Sequence, residues 1–150
     1  LGEVDSKNFM HILTSIIGRE IATKNSLLTW FLSLEKEEIA RGYSNHLWNG
    51  VTTLAFAKLT SGIVENDFFR PGIQHFIPSD TVSKFELLNY FREKFNRMDI
   101  KLIPHNETIP VNRVLMTENV EFNEFLWDIA GYDAVPKIEE LVQELALSTN

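Results

Sequence analysis

The chain has 150 residues, of which 44% are hydrophobic and 23% charged, the balance of a globular protein able to bury a core. Its formal net charge of −7, without a basic run, excludes the surface that nucleic-acid binding requires. The absence of cysteine excludes disulfides, thiolate catalysis and cysteine metal sites. No apolar run approaches the ~20 residues of a membrane span, and the first residues lack a signal-peptide pattern. We therefore predict a cytoplasmic protein with no membrane or nucleic-acid partner.

The first third of the chain alternates between strand-like and helix-like patterns. Gly18 ends an apolar, partly β-branched run that predicts a strand buried on both faces. Asn25 and Ser26 can cap the helix that follows. The predicted elements are a strand over 9–18, a helix over 27–38, a weaker strand over 39–48 and a helix over 51–66 with an inward stripe of Val51, Leu54, Ala55 and Leu59.

The remainder continues this alternation and closes with two helices. Ser83 and Glu86 have the spacing of a capping box, which predicts a helix start. A long loop over 105–120 is of the kind that often carries function. Before and after the capped helix we predict a short buried strand over 73–77 and a strand over 100–104 that is stopped by Pro104; the helix runs to about Phe95, with Phe85, Leu88, Phe91 and Phe95 inward. Two further helices follow the loop. The first ends at Gly131 and has the apolar stripe Phe122, Phe125, Leu126, Ile129 and Ala130, and the second lies behind Pro136 and has the stripe Ile138, Leu141, Val142, Leu145 and Ala146. The order βαβαβαβ, then αα, predicts an α/β fold.

The corner Asn49-Gly50 is a strong hairpin signal, yet a helix pattern follows it. We interpret it as a helix entrance, in which Asn49 caps the amides near Thr52 and Gly50 tolerates a sharp turn.

Most catalytic and metal-binding motifs are missing from the sequence. It contains no Gly-x-Ser-x-Gly elbow, no Gly-x-Gly-x-x-Gly turn and no phosphate loop. The histidines stand without a partner at metal-ligand spacing, so we predict no metal site; they are His11, His46, His75 and His105.

Tyr90 and Lys94 share the Tyr-x-x-x-Lys spacing by which short-chain dehydrogenases place a phenol proton donor beside a lysine. The pair lies among the core residues of an amphipathic helix and follows no glycine-rich motif. We interpret it as a helix surface pair, and we predict no catalytic residue in this chain.

Two residues are candidates for binding a small molecule. Arg113 lies in the long loop, where it is either a solvent-exposed arginine or a fork-shaped donor to a phosphate. Trp48 is either a buried anchor or a platform for a sugar or base ring.

Several stretches resemble, in order and with similar gaps, the C-terminal portion of the dTDP-4-dehydrorhamnose reductase family, sugar-nucleotide enzymes of the extended short-chain dehydrogenase/reductase superfamily. The resemblance covers roughly residues 1–117, and its most specific parts are NHLWNGVTTL and VSKFELL. The stretches are TSIIGRE, NSLLTWFLS, GYSNHLWNGVTTLAFAKL, HFIPSDTVSKFELLNYF and NRVL. Gly2-Glu3 is similar to the Gly-Glu pair that commonly follows the family's catalytic lysine.

The resemblance implies that residues 1–150 are a single C-terminal fragment: late strands of a Rossmann-type sheet plus a small α/β sugar-nucleotide-binding lobe ending in two helices. The cofactor-binding half, with NADPH or NADH and the catalytic tyrosine and lysine, would lie upstream. The chain would then bind a dTDP-sugar for 4-keto reduction in deoxysugar or cell-surface polysaccharide synthesis. It would not bind the cofactor or transfer hydride alone.

By position, the resemblance places Trp48 and Asn49 where the substrate lobe meets the cofactor domain, and Arg113 in a loop that faces the diphosphate. These three are the predicted substrate-binding residues. The chain departs from the family at Leu13, where an arginine is usual, and at Asn112, where an aspartate is usual, which puts the identity of the substrate in question.

Two other functions stay open: a non-catalytic regulatory or binding module of the same superfamily, and a related sugar-nucleotide epimerase or dehydratase. Strands cut from a larger sheet would leave unpaired edges, so we also expect association, for example as a homo-oligomer.

Overall fold

The structure is a computed structural model that describes residues 7–21, 23 and 25–149. The strands in these residues are β1 (Met10–Leu13), β2 (Ile16–Ile17), β3 (Ile39–Tyr43), β4 (His46–Trp48), β5 (Val51–Thr52), β6 (Gly72–His75), β7 (Val82–Ser83), β8 (Lys101–His105) and β9 (Val111–Arg113). The helices are α1 (Leu27–Leu32), α2 (Thr53–Glu65), α3 (Lys84–Lys94), α4 (Val120–Ile129) and α5 (Ile138–Ser148). The predicted α/β class is confirmed.

The strands form four small sheets in the described part of the chain. Three are parallel pairs, β1 with β6, β2 with β5 and β3 with β8. The fourth has the order β7-β4-β9, in which β4 runs antiparallel to β7 and parallel to β9. Each parallel pair is joined through at least one helix, as parallel strands require.

The predicted strand over 9–18 is wrong in length and in burial. It is two strands, interrupted at Thr14 and Ser15, and β1 is only partly buried along its whole length. The physical reason is that β1 pairs only with β6 among the described residues, so its other edge has no neighbour.

Helix α1 starts as predicted and ends earlier. The Ser26 side chain caps it by accepting a hydrogen bond from the Thr29 amide at 3.2 Å. The helix ends at Leu32 because Arg97 donates to the carbonyls of Leu32 and Leu34, both at 2.7 Å, which satisfies groups that a longer helix would use internally.

The predicted strand over 39–48 is two strands, β3 and β4, which belong to different sheets. The break at Ser44 and Asn45 turns the chain out of one sheet and into the other. This turn makes β4 the middle strand of its sheet.

The Asn49-Gly50 corner does not cap the helix that follows. Thr52 caps α2 instead, since its hydroxyl accepts from the Ala55 amide at 3.2 Å. Gly50 is required by close approach: a Cβ there would lie 2.3 Å from the Trp48 ring and 2.4 Å from the Ser15 carbonyl oxygen.

The capping box of α3 is confirmed. The Ser83 hydroxyl accepts from the Glu86 amide at 3.2 Å, and the Glu86 carboxylate accepts from the Ser83 amide at 2.7 Å.

Two predictions around residues 100–120 are wrong. Pro104 does not stop β8, which continues to His105; β8 is an edge strand of its pair, where a residue without an N–H is tolerated. The expected loop over 105–120 contains β9, which pairs with β4.

The core consists of two hydrophobic clusters, with α5 contributing to both. Leu88 and Phe91 are fully buried as predicted, whereas Phe125, a member of the predicted apolar stripe, is 41% exposed. Trp127, which the stripe did not include, is fully buried, and its indole donates to the Ile77 carbonyl at 2.8 Å. Each described helix is too short or too polar to span a bilayer.

Gly62 marks the contact between α2 and α4. A Cβ at this position would lie 2.1 Å from the Ile129 carbonyl oxygen, a clash with backbone that neither helix can relieve locally. Helix propensity alone would favour alanine over glycine by ~1 kcal/mol, but overpacking costs ~1–3 kcal/mol.

We therefore expect Gly62→Ala to lower the free energy of unfolding, measured by urea denaturation. Thr60→Ala, at an exposed position of the same helix, is the control and should be neutral or slightly stabilising. A stabilised Gly62→Ala variant would contradict the close contact of α2 with α4.

Candidate functional site

Trp48 and Arg113 lie side by side. They are register partners on the parallel strands β4 and β9, so their side chains project from the same face of that sheet. Both line a pocket of about 370 Å³. Its walls are Ile17, Leu27, Tyr43, His46, Leu47, Trp48, Lys84, Leu87, Val111 and Arg113.

The pocket contains two cations, Lys84 at the start of α3 and Arg113 at the end of β9. Burial, and secondly the positive charge of Arg113, lower the pKa of the Lys84 amine below its ordinary value. In the described part of the chain, no carboxylate forms an ion pair with either residue. A positive pocket thus lies on a protein of formal net charge −7.

Aromatic rings form one wall of the pocket. Tyr43 stacks on His46, with the ring centroids 4.3 Å apart and the planes tilted by 20°. The Lys84 ammonium lies 5.5 Å from the centroid of the Tyr43 ring. The Nε2 atom of His46 is buried and makes no hydrogen bond to any described residue. The wall therefore consists of flat rings, and one of them carries a buried nitrogen without a hydrogen-bond partner.

Asn49, the third predicted binding residue, does not line this pocket. It is 4% exposed, and its side-chain amide donates to the Leu115 carbonyl at 2.9 Å while its oxygen accepts from the Leu115 amide at 2.7 Å. Asn49 therefore holds the segment just beyond Arg113 in place.

Asn45 makes the same pair of contacts at the other end of the segment. Its amide donates to the Glu107 carbonyl at 2.7 Å, and its oxygen accepts from the Glu107 amide at 3.1 Å. Two asparagines that flank β4 thus fasten the backbone on both sides of β9. This arrangement positions the Arg113 side chain over the pocket.

The two departures from the family pattern lie outside the pocket lining. Leu13 pairs with His75 in the β1–β6 sheet. The exposed Asn112 side chain accepts from the Val114 amide at 3.0 Å, which shapes the end of β9 locally. Gly2 and Glu3 lie outside the described residues.

The contacts of Tyr90 and Lys94 are those of residues that stabilise the fold. Lys94 forms an ion pair with Glu139 at 2.7 Å. Burial, followed by neighbouring carboxylates, raises the pKa of Tyr90, the opposite of what activates a phenol as a proton-transfer group at neutral pH. Nowhere in residues 7–21, 23 and 25–149 do three His, Asp or Glu side chains gather to hold a metal ion.

Sequence reasoning missed Tyr43, His46 and Lys84. Lys84 lies between the two residues of the capping box, Ser83 and Glu86. The capping box predicts that Lys84 lies at the start of a helix, but it carries no information about a pocket. The stacking of Tyr43 on His46 depends on the turn between β3 and β4, and the sequence pattern predicts a single strand across that turn.

The α/β fold is similar to the Rossmann-like folds of solved nucleotide-sugar enzymes. The crystal structure of dTDP-4-dehydrorhamnose reductase from Bacillus anthracis, in complex with NADP, matches 94% of this chain with a TM-score of 0.70 and 15% identity, and the match covers 48% of that chain. The reductase from Yersinia enterocolitica matches 94% of this chain and 50% of its own, with a TM-score of 0.68 and 13% identity.

A third structure is the UDP-N-acetylglucosamine 4-epimerase from Methanobrevibacter ruminantium in complex with UDP-N-acetylmuramic acid. It matches 94% of this chain and 46% of its own, with a TM-score of 0.57 and 12% identity. No protein-family model and no curated protein matches the sequence. The resemblance is therefore confirmed at the level of the fold, and the chain spans about half the length of the structures it matches.

The pyrophosphate of a nicotinamide dinucleotide is usually held at a glycine-rich turn between a strand and a helix. None of the strand-to-helix turns in the described residues is glycine-rich.

Replacing Asn49 by alanine should destabilise the protein. The change leaves the partly buried amide and carbonyl groups of Leu115 without their side-chain partner, which costs ~1–3 kcal/mol. Asn45→Ala is the matched control, because it removes the same two bonds at an exposed site where water can replace them, and it should cost less than ~1 kcal/mol. Urea denaturation of both variants measures the difference; equal losses would show that Asn49 is not the main fastening of this segment.

Proposed function

We propose that this chain is the substrate-binding part of an NAD(P)H-dependent sugar-nucleotide reductase of the dTDP-4-dehydrorhamnose reductase type. The single observation that carries the proposal is the pocket that joins Arg113, Lys84 and Trp48 in a chain with this fold. The bound molecule would be a dTDP-sugar or a similar nucleotide sugar.

The two cations provide what a diphosphate needs. The Arg113 guanidinium can donate two parallel hydrogen bonds to phosphate oxygens, and the Lys84 ammonium adds a point charge. Both are held by regular structure, at the end of β9 and the start of α3. Burial, and secondly repulsion from Arg113, lower the pKa of Lys84, and a bound anion would offset both effects.

Trp48 supplies an apolar ring face beside these cations. Its packing against Gly50 fixes the indole at the corner between β4 and β5. A sugar ring can rest against such a platform while its hydroxyls reach polar groups.

Asn49 enters the proposal as a residue that acts through the backbone. Its bonds to Leu115 hold the segment that follows Arg113, and it is not among the residues that line the Trp48 pocket. We therefore keep Trp48 and Arg113, and add Lys84, as the residues that contact the substrate.

Hydride transfer would require a nicotinamide-binding half on a further part of the protein, so this chain would not act alone. The β1–β6 pair supports this proposal, because parallel sheets are normally covered and extended on both sides. Here Phe9, just before β1, is 51% exposed, and Ile73, within β6, is 45% exposed. We propose that the cofactor half adds strands and cover there; self-association through the same surface is the alternative occupant.

Two other functions would use the same pocket. A non-catalytic binding module is the first, and a sugar-nucleotide epimerase is the second, favoured by the fold match to an epimerase bound to a UDP-sugar. The residues encoded upstream separate an enzyme from the module: a glycine-rich strand-turn-helix followed by Tyr-x-x-x-Lys supports an enzyme, and its absence supports the module. Substrate profiling of the full-length protein separates the epimerase from a reductase.

The purified chain should bind dTDP-glucose in isothermal titration calorimetry. Arg113→Ala should weaken binding by roughly 10-fold or more, since a charge-assisted hydrogen bond contributes ~1.5–3 kcal/mol. Arg70→Ala is the matched control, because Arg70 packs over Phe122 and does not line the pocket. Binding that is insensitive to Arg113→Ala would place the diphosphate elsewhere.

The chain supplied with NADPH and a dTDP-4-keto sugar should give no turnover in an assay of NADPH absorbance. Turnover by the purified 150-residue chain would contradict the proposal that the cofactor half is needed. Full-length protein containing the upstream half is the positive control.

A further inference from the structure

A second groove adjoins the pocket. Its volume is about 460 Å³, and it shares Leu27, Tyr43 and Lys84 with the pocket that holds Trp48 and Arg113. The groove adds three residues of its own, Asn25, Trp30 and Arg41. The two compartments are therefore contiguous around the Tyr43 and Lys84 side chains.

We propose that the ligand spans both compartments: its nucleobase lies in the groove on Trp30 and Arg41, its diphosphate crosses at Lys84 and Arg113, and its sugar lies beside Trp48. This inference rests on the proposed function and deepens it by assigning each part of a nucleoside diphosphate sugar to named residues.

Trp30 is built as an anchored, accessible ring. It is 36% exposed, and its indole meets the fully buried Phe31 edge to face, with the ring centroids 6.4 Å apart. The neighbouring residue thus ties α1 to the core while Trp30 remains open to the groove. An indole face of this kind stacks with any base, because every base has a π-face.

Arg41 faces the same groove from β3. Burial alternates along that strand, with Ala40 and Gly42 buried and Arg41 exposed between them. In the described residues no carboxylate forms an ion pair with Arg41. Its planar guanidinium can stack on a base or donate to the base carbonyls. The groove therefore offers two flat groups to one planar ring.

Lys84 lies at the junction of the two compartments. It lines both, and its ammonium is 5.5 Å from the centroid of the Tyr43 ring. Arg113 lines only the pocket. The charge that a diphosphate would meet is thus concentrated between the groove and the Trp48 wall.

The direction of the ligand follows from the strands that each compartment touches. The pocket includes Ile17 of β2, and the Trp48 ring packs at the corner beside the Ser15 carbonyl. The groove has no residue from β1, β2, β5 or β6. The end that must meet a hydride donor therefore belongs beside Trp48, toward the β1–β6 and β2–β5 pairs, and the base belongs in the groove.

The test compares dTDP with dTDP-glucose by calorimetry on the full chain. Trp30→Ala and Arg41→Ala should each weaken both ligands by the same factor, roughly 10-fold, because both ligands carry the base. Trp48→Ala should weaken the binding of dTDP-glucose more than the binding of dTDP.

Ile39→Ala is the matched control for Arg41→Ala, since Ile39 is exposed two residues earlier on β3 and does not line the groove. Circular dichroism checks that each variant is folded, and Arg41→Ala carries the test if Trp30→Ala does not fold.

The outcomes separate this inference from the proposed function. The first case is that the wild type binds dTDP and that the dissociation constants of Trp30→Ala and Arg41→Ala for dTDP lie within about 2-fold of the wild-type value. The groove is then not the base site, and the proposed function stands. If Arg41→Ala weakens dTDP-glucose and leaves dTDP unchanged, the ligand lies in the reverse direction and the inference is overturned. If the wild type binds neither ligand, the proposed function fails and this inference fails with it.

Discussion

The candidate site depends on the pairing of β4 with β7 on one side and β9 on the other. This pairing joins segments far apart in the chain: Asn49 and Leu115, whose hydrogen bonds close one end of it, are 66 residues apart. The register aligns Trp48 with Val82 and with Arg113, and Lys84 follows directly after β7. One strand of three residues therefore collects an indole, an ammonium and a guanidinium at one pocket.

The same arrangement carries an electrostatic cost. Two cations share a partly buried pocket without a carboxylate partner in the described residues, and the lowered pKa of Lys84 shows that its charged form is disfavoured there. By contrast, Arg97 is given a carboxylate and two carbonyls: it binds Asp99 and the end of α1, and its guanidinium lowers the pKa of the Asp99 carboxyl. Unpaired cations beside aromatic rings are typical of a site for an anion, whereas a fully paired arginine is typical of a structural tie.

The sequence predicts well those features that depend on residues within a single helix. The capping box at Ser83, the Ser26 cap and the two closing amphipathic helices depend on neighbours within a few residues. It predicted poorly whatever depends on pairing across the chain. The turn at Ser44, the short strand β9 and the role of Asn49 follow from contacts with distant segments, which local periodicity does not encode.

The Asn49-Gly50 corner shows how one local signal acquired two nonlocal functions. A hairpin signal consists of a residue that can satisfy backbone groups with its side chain and a residue without a Cβ. Here the Asn49 side-chain amide satisfies the backbone of Leu115 instead of its own turn, and Gly50 leaves room for the Trp48 ring and the Ser15 carbonyl, both of which a Cβ would meet. The corner therefore holds two parts of the site in place. Gly50 leaves the space that the Trp48 ring of β4 occupies, and Asn49 holds the segment that follows Arg113 of β9. A larger residue at Gly50 would clash with the Trp48 ring. A residue without an amide at position 49 would leave the Leu115 backbone without its side-chain partner. These two adjacent positions therefore support both sides of the pocket from outside its lining.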